Sequence, residues 1–244
     1  MKRSIYSQLL AWKKKTSRKP LMIYGARQVG KTYILKEFGK NEFKNMVYVN
    51  CFHNEAVRLL FKQIPDMGNI ITGLSALSGV QITPEDTLII FDEAQEIPEV
   101  VSSLKYFYED CPQYFVAVAG SLLGVLNLAD NSFPVGKVDI LHLYPMTFYE
   151  FLEGIGEGEK AGLLATLGNR EIINSLSGVY KDLLRQYYFV GGMPEAVKEF
   201  AVGAGIQSVR QIQNNIISAY YADIAKHAGN LTQRCRLVFE SVPA

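Results

Sequence analysis

Residues 25–32 read Gly25-Ala26-Arg27-Gln28-Val29-Gly30-Lys31-Thr32, the spacing G-x-x-x-x-G-K-[ST], which restricts the fold more strongly than any other feature of the chain. The glycines let the backbone curl so that successive N–H groups face an anion. A helix opening after the loop adds unpaired donors and a favourable dipole. A chain of this length matches the bare pattern by chance on the order of once in a hundred, so the flanks carry the reading. Leu21-Met22-Ile23-Tyr24 is a short apolar run of the kind a buried parallel strand shows. Ile34, Leu35 and Phe38 share one helical face before Gly39. Strand, loop and helix are the setting in which Gly25, Ala26, Arg27, Gln28, Val29 and Gly30 line a phosphate. In that setting Lys31 reaches the β- and γ-phosphates and Thr32 places its hydroxyl on Mg²⁺. Arg27 has two readings, contact with phosphate or with a neighbouring strand.

A second segment suits the same chemistry. Thr87-Leu88-Ile89-Ile90-Phe91-Asp92-Glu93 is an apolar strand ending in two acids, with Asp92 placed 61 residues after Lys31. Adjacent carboxylates at a strand end are costly unless something uses them. Asp92 suits the Mg²⁺ shell, and Glu93 suits polarising an attacking water. Strand alternation sends the two side chains different ways. The plainer alternative is a helix N-cap, with Asp92 capping and Glu93 in solvent. A further apolar strand, 114–119, ends at Gly120-Ser121. Ser121 is a candidate to touch the γ-phosphate or the attacking water, or else caps the segment 122–126. Pro98 to Asp110 reads as the helix between these strands.

Strands over 46–50 and 138–143 complete an order of alternating α and β elements, hence an α/β fold with a parallel sheet covered on both faces. That order allows an additional strand between the loop strand and the acidic strand. The core, a P-loop NTPase arrangement, spans 1–146. From 147 to 230 the pattern is helical, with helices expected over 171–188, 195–201 and about 208–225, broken at Gly191-Gly192-Met193-Pro194. This reads as a small helical lid. Residues 231–244 end in apolar sequence and read as the start of a truncated C-terminal region.

Charge is nearly balanced, at +1, so composition calls for neither nucleic acid nor membrane. The first nineteen residues nonetheless carry seven Lys and Arg and no acid. The bland reading is a solvated helix face docked through Trp12; the sharper one is a nucleic-acid contact. No apolar run is long enough to span a bilayer. Cys51, Cys111 and Cys235 have no paired spacing and suit a reducing cytosol.

The ordered motifs Arg18-Lys19-Pro20-Leu21, 25–32, Phe91-Asp92-Glu93-Ala94-Gln95, Ala119-Gly120-Ser121-Leu122-Leu123-Gly124, 133–138, 144–148 and Gly191-Gly192-Met193-Pro194-Glu195-Ala196-Val197 resemble a bacterial and archaeal family of AAA+-type P-loop ATPases that carry a separate C-terminal domain of unknown function. The resemblance runs the length of the chain. It implies an additional-strand core, a lid, ATP as ligand and a C-terminal domain beyond residue 244. It also implies that Pro194 lies against adenine in a lid turn, and that Lys137 supplies charge near the γ-phosphate, with a sheet-edge lysine as the alternative. The expectation is a cytosolic ATPase using ATP and Mg²⁺. No N-K-x-D segment favours GTP. A slow nucleotide-gated switch for an unidentified protein client is the rival, and a nucleic-acid-associated ATPase the third reading. No motif indicates the oligomeric state.

Overall fold

The computed structural model describes residues 2–63, 66–120, 134, 136–166 and 170–242. The chain divides into two compact units, Lys2–Tyr144 and the residues from Pro145 onward.

The first unit is built on a five-stranded parallel sheet: β1 (Leu21–Tyr24), β2 (Asn45–Asn50), β3 (Thr87–Asp92), β4 (Phe115–Ala119) and β5 (Asp139–His142). The spatial order is β2-β3-β4-β1-β5. A strand does stand between the loop strand β1 and the acidic strand β3, and it is β4. β2, which separates them in sequence, lies at the edge beside β3. Strands β3 and β4 are buried along their whole length, as expected for a sheet covered on both faces.

Alternation along the strands divides the side chains between two layers. Met22, Val47, Val49, Ile89, Phe91, Val116 and Val118 pack with residues of α3 (Glu55–Gln63), α4 (Met67–Ser78) and α5 (Pro98–Glu109). On the other face lie α1 (Ile5–Lys14) and α2 (Lys31–Glu42). There Trp12 meets Phe38 and Phe115, and Gly39 brings the α2 backbone close to Met46 and Leu88.

The basic start of the chain is absorbed into this packing. Trp12 is buried and its indole N–H donates to the Lys19 carbonyl. Lys13 pairs with Glu42, Lys15 with Asp139, Arg18 lies over the Phe115 ring, and Lys19 donates to the Gly136 carbonyl. These cations have partners on their own chain, which supports the docked-helix reading over a nucleic-acid contact.

The second unit is helical: α6 (Phe148–Gly154), α7 (Gly158–Ala165), α8 (Arg170–Ser175), α9 (Ser177–Val190), α10 (Pro194–Ala201), α11 (Ile206–His227) and α12 (Thr232–Glu240). The helix expected over 171–188 is two, α8 and α9, meeting at Leu176. The core is Met146, Phe151, Leu152, Leu183, Val190, Ala196, Val197 and Val209. Thr147 and Glu150 form a capping box at the start of α6, satisfying two otherwise orphaned N–H groups. Residues 232–240, expected to lie in a truncated region, form helix α12, and Phe239 packs its ring on Tyr220 and Tyr221 of α11.

No described helix is long and apolar enough to cross a membrane.

Candidate functional site

The phosphate loop leaves the C-terminal end of β1 and enters α2 at Lys31. Two features set its curl. A Cβ at Gly25 would lie 2.2 Å from the Leu143 carbonyl oxygen, so only glycine fits there. Gln28 and Gly30 take left-handed conformations, at φ 65° and 96°, which turn successive N–H groups inward. Val29 is fully buried and anchors the loop, while Ala26, Arg27 and Gln28 are exposed at its crest. The buried Arg3 donates to the Val29 carbonyl at 3.0 Å and to the Tyr144 carbonyl. It ties the loop to the strand end beside it.

Lys31 is buried, and its ammonium donates to the Gly25 and Ala26 carbonyls at 2.9 and 2.8 Å. Burial lowers its pKa from the ordinary lysine value; the Glu93 and Asp92 carboxylates oppose that shift and Arg27 adds to it. A cation held on loop carbonyls can exchange them for phosphate oxygens without crossing the site.

The hydroxyl of Thr32 donates to Asp92 Oδ2 at 2.7 Å. Giving its proton to a carboxylate leaves the hydroxyl's lone pairs for a cation. Asp92 is buried and also accepts from the Tyr48 hydroxyl at 2.9 Å and from the Glu93 N–H at 3.1 Å. Burial first, then the Asp92 charge, push the Tyr48 phenol upward, so it remains a donor. Lys36 Nζ sits 3.4 Å from the centre of the Tyr48 ring. A hydroxyl and a carboxylate joined in this way present hard oxygen ligands, the donor set Mg²⁺ takes; the residues present fit the cation.

Glu93 leaves the strand. It takes the left-handed conformation, φ 50° and ψ 41°, at the head of a short 3₁₀ turn (Ala94–Glu96), and makes no side-chain cap. Strand alternation therefore does not set its direction. Backbone of this kind in a non-glycine residue is costly and concentrates at functional sites. Asp92, offered as a helix cap in the alternative reading, is instead the last residue of β3 and accepts from Thr32, Tyr48 and the adjacent Glu93 N–H. The Glu93 carboxylate accepts from the Gln95 amide at 2.6 Å.

The structure thus brings Gly25–Thr32, Asp92 and Glu93 to one end of the sheet. It does not bring Lys137 there. Lys137 precedes β5, and β5 runs parallel to β1 with Asp139 opposite Leu21, so Lys137 stands at the opposite rim. It pairs there with Glu109 at 3.0 Å, and the sheet-edge alternative is the correct one. Ser121 lies outside the described residues. Pro194 opens α10 in the helical unit, where proline's fixed φ suits a first helical position. Tyr48, Arg3 and Gln95 were not singled out in the sequence. The strand alternation that puts Tyr48 and Asp92 on one sheet face was the available signal for Tyr48, since Asn50 pairs with Asp92 in register.

The sheet order, the loop and the acidic strand define a P-loop nucleoside-triphosphatase fold with a helical C-terminal part. The chain belongs to the AAA domain family, whose profile matches residues 17–152, more than half its length. A second family, described as a domain of unknown function, matches residues 181–244. The chain therefore carries such a domain within the stretch read as lid and tail, where the resemblance placed one beyond residue 244.

No curated protein matches the chain. Among solved structures, it is similar to the Walker-type ATPase PABY2304 of Pyrococcus abyssi, at 15% identity and TM-score 0.55, over 96% of this chain and 76% of that one. It is also similar to Drosophila ORC bound to DNA, at 16% identity and TM-score 0.51, over 87% of this chain and 65% of that one. At these identities the likeness is one of fold.

Proposed function

We propose that the chain binds ATP with Mg²⁺ and hydrolyses it. The observation that carries this reading is the Thr32–Asp92 hydrogen bond at 2.7 Å, which joins the loop to the acidic strand, with the Lys31 ammonium close by. The amides of Gly25–Thr32 and the Lys31 ammonium hold the phosphates, and Thr32 with Asp92 holds the cation. Bound there, Mg²⁺ would neutralise charge on the phosphate oxygens. Glu93 orients the attacking water. The water oxygen bonds to the γ-phosphorus while the bond to the β–γ bridging oxygen breaks and its electron pair leaves with ADP. The water's proton passes through Glu93 to solvent. Arg27 is exposed at the loop crest, and in this reading it contacts the phosphate tail. Three free cysteines support a cytosolic site of action.

Glu93→Gln separates chemistry from binding. The change is nearly isosteric and leaves Asp92 in place. Phosphate release should fall about 10²-fold or more, with ATP affinity retained in a titration. Unaltered phosphate release would reduce Glu93 to a structural residue. Tight binding with no turnover in the unmodified chain would favour the nucleotide-gated switch.

A further inference from the structure

The Phe91-Asp92-Glu93-Ala94-Gln95 segment holds one polar group that the proposed chemistry does not use. The Gln95 side-chain nitrogen donates to Glu93 Oε2 at 2.6 Å. Because a carboxylate only accepts, this contact fixes which end of the amide faces Glu93. The other end, Oε1, is buried and has no hydrogen-bond partner among the described residues. A buried carbonyl oxygen without a partner costs free energy, and native structures seldom keep one without a reason.

We propose that Gln95 is a second water-orienting group, binding the attacking water together with Glu93. This rests on the hydrolysis reading above and deepens it. The two ends of an amide lie about 2.3 Å apart, so Gln95 Oε1 is within about 5 Å of Glu93 Oε2 given the 2.6 Å contact. A water that donates one hydrogen bond to each of two acceptors spans about 4.5 Å between them. The pair therefore suits one water: one proton is donated to the Glu93 carboxylate, which takes it as the oxygen attacks phosphorus. The other proton is donated to Gln95 Oε1 and stays with the phosphate formed. The Gln95 N–H that holds Glu93 Oε2 also fixes the base. The αL backbone at Glu93 and the 3₁₀ turn after it bring side chains two residues apart into contact, which an extended strand also allows but a helix does not.

The test compares the chain with its Gln95→Ala variant. Each is titrated with ADP and with ADP plus aluminium fluoride, a mimic of the transferring phosphoryl group and its in-line oxygen. Gln95→Ala should leave ADP affinity unchanged, weaken the aluminium fluoride complex and slow phosphate release by about 10²-fold. Combined with Glu93→Gln it should add little further loss, since groups that hold one water act as a unit. If Gln95→Ala fails to fold, Gln95→Met keeps the volume and removes both hydrogen-bonding atoms. An unweakened aluminium fluoride complex, or a parallel loss of ADP and of that complex, would overturn the assignment. If the unmodified chain binds ADP, gains nothing from aluminium fluoride and shows no turnover, the role of Gln95 falls while nucleotide binding stands. If it binds no ADP, the nucleotide reading falls first and takes the role of Gln95 with it.

Discussion

Two glycine turns, one in each compact unit, obey the same steric rule and differ in what stands beside them. A Cβ at Gly25 would lie 2.2 Å from the Leu143 carbonyl oxygen, and one at Gly192 would lie 2.4 Å from the Met146 carbonyl oxygen. Both glycines admit a close approach of backbone to backbone. Next to Gly25 the chain gathers a buried ammonium, a hydroxyl and two carboxylates. Next to Gly192 the partners are backbone groups and aromatic or apolar side chains: Met146 N–H donates to the Gly192 carbonyl, and the Tyr187 hydroxyl to the Met146 carbonyl. A glycine turn marks where backbones must meet. Converging ionisable groups separate a ligand site from a packing joint.

The largest expected effect breaks that comparison into its parts. Gly25→Ala and Gly192→Ala should each cost about 2–3 kcal/mol, because the atom in the way is backbone and cannot swing aside. Only Gly25→Ala should also weaken ATP binding more than about tenfold, by displacing loop N–H groups that would bond phosphate. Thermal melts paired with nucleotide titrations check this. Equal losses of ATP affinity would erase the distinction and raise the importance of the turn at Pro194.

An intermediate effect follows from Lys31. Its pKa is lowered, chiefly by burial, so as pH rises it loses its proton before an ordinary lysine does. ATP affinity should therefore fall on the alkaline side. Bound phosphate favours the charged form, so binding there should take up a proton. Calorimetry in buffers of different ionisation enthalpy measures that uptake. Affinity that stays flat with no proton uptake would remove Lys31 from the phosphate contact.

The smallest effect concerns thiols. Burial, then the Asp92 and Glu93 charges, push Cys51 up to about 12, so it is a neutral thiol at neutral pH. The partly exposed Cys235 of the helical unit should react with iodoacetamide in the folded chain while Cys51 does not. Rapid labelling of Cys51, read by peptide mass, would show that the acidic end of the sheet opens.

What the sequence disclosed depends on the range of the interaction concerned. The loop and the acidic strand were legible because strand, glycines, lysine and carboxylates are each local signals. That a strand stands between β1 and β3 was foreseeable, but its identity as β4 was not, since pairing order is set by contacts across the whole sheet. Lys137 was misplaced because its neighbours in sequence do not reveal at which rim of the sheet it lies; its partner Glu109 does. Tyr48 meets Asp92 from 44 residues away, and Arg3 meets Tyr144 from 141, distances at which no spacing rule applies. Gln95 was visible within a motif, yet only the left-handed turn at Glu93 gives it a use.

Lys31, Thr32 and Asp92 are the proposed site for a magnesium-bound triphosphate. The most direct measurement is a calorimetric titration of ATP with Mg²⁺ into the unmodified chain and into Lys31→Ala, with folding of both confirmed by circular dichroism. Binding should be saturable in the first and lost in the second, because a buried triphosphate would lose its main side-chain cation. Unchanged affinity in a folded Lys31→Ala protein would contradict that assignment.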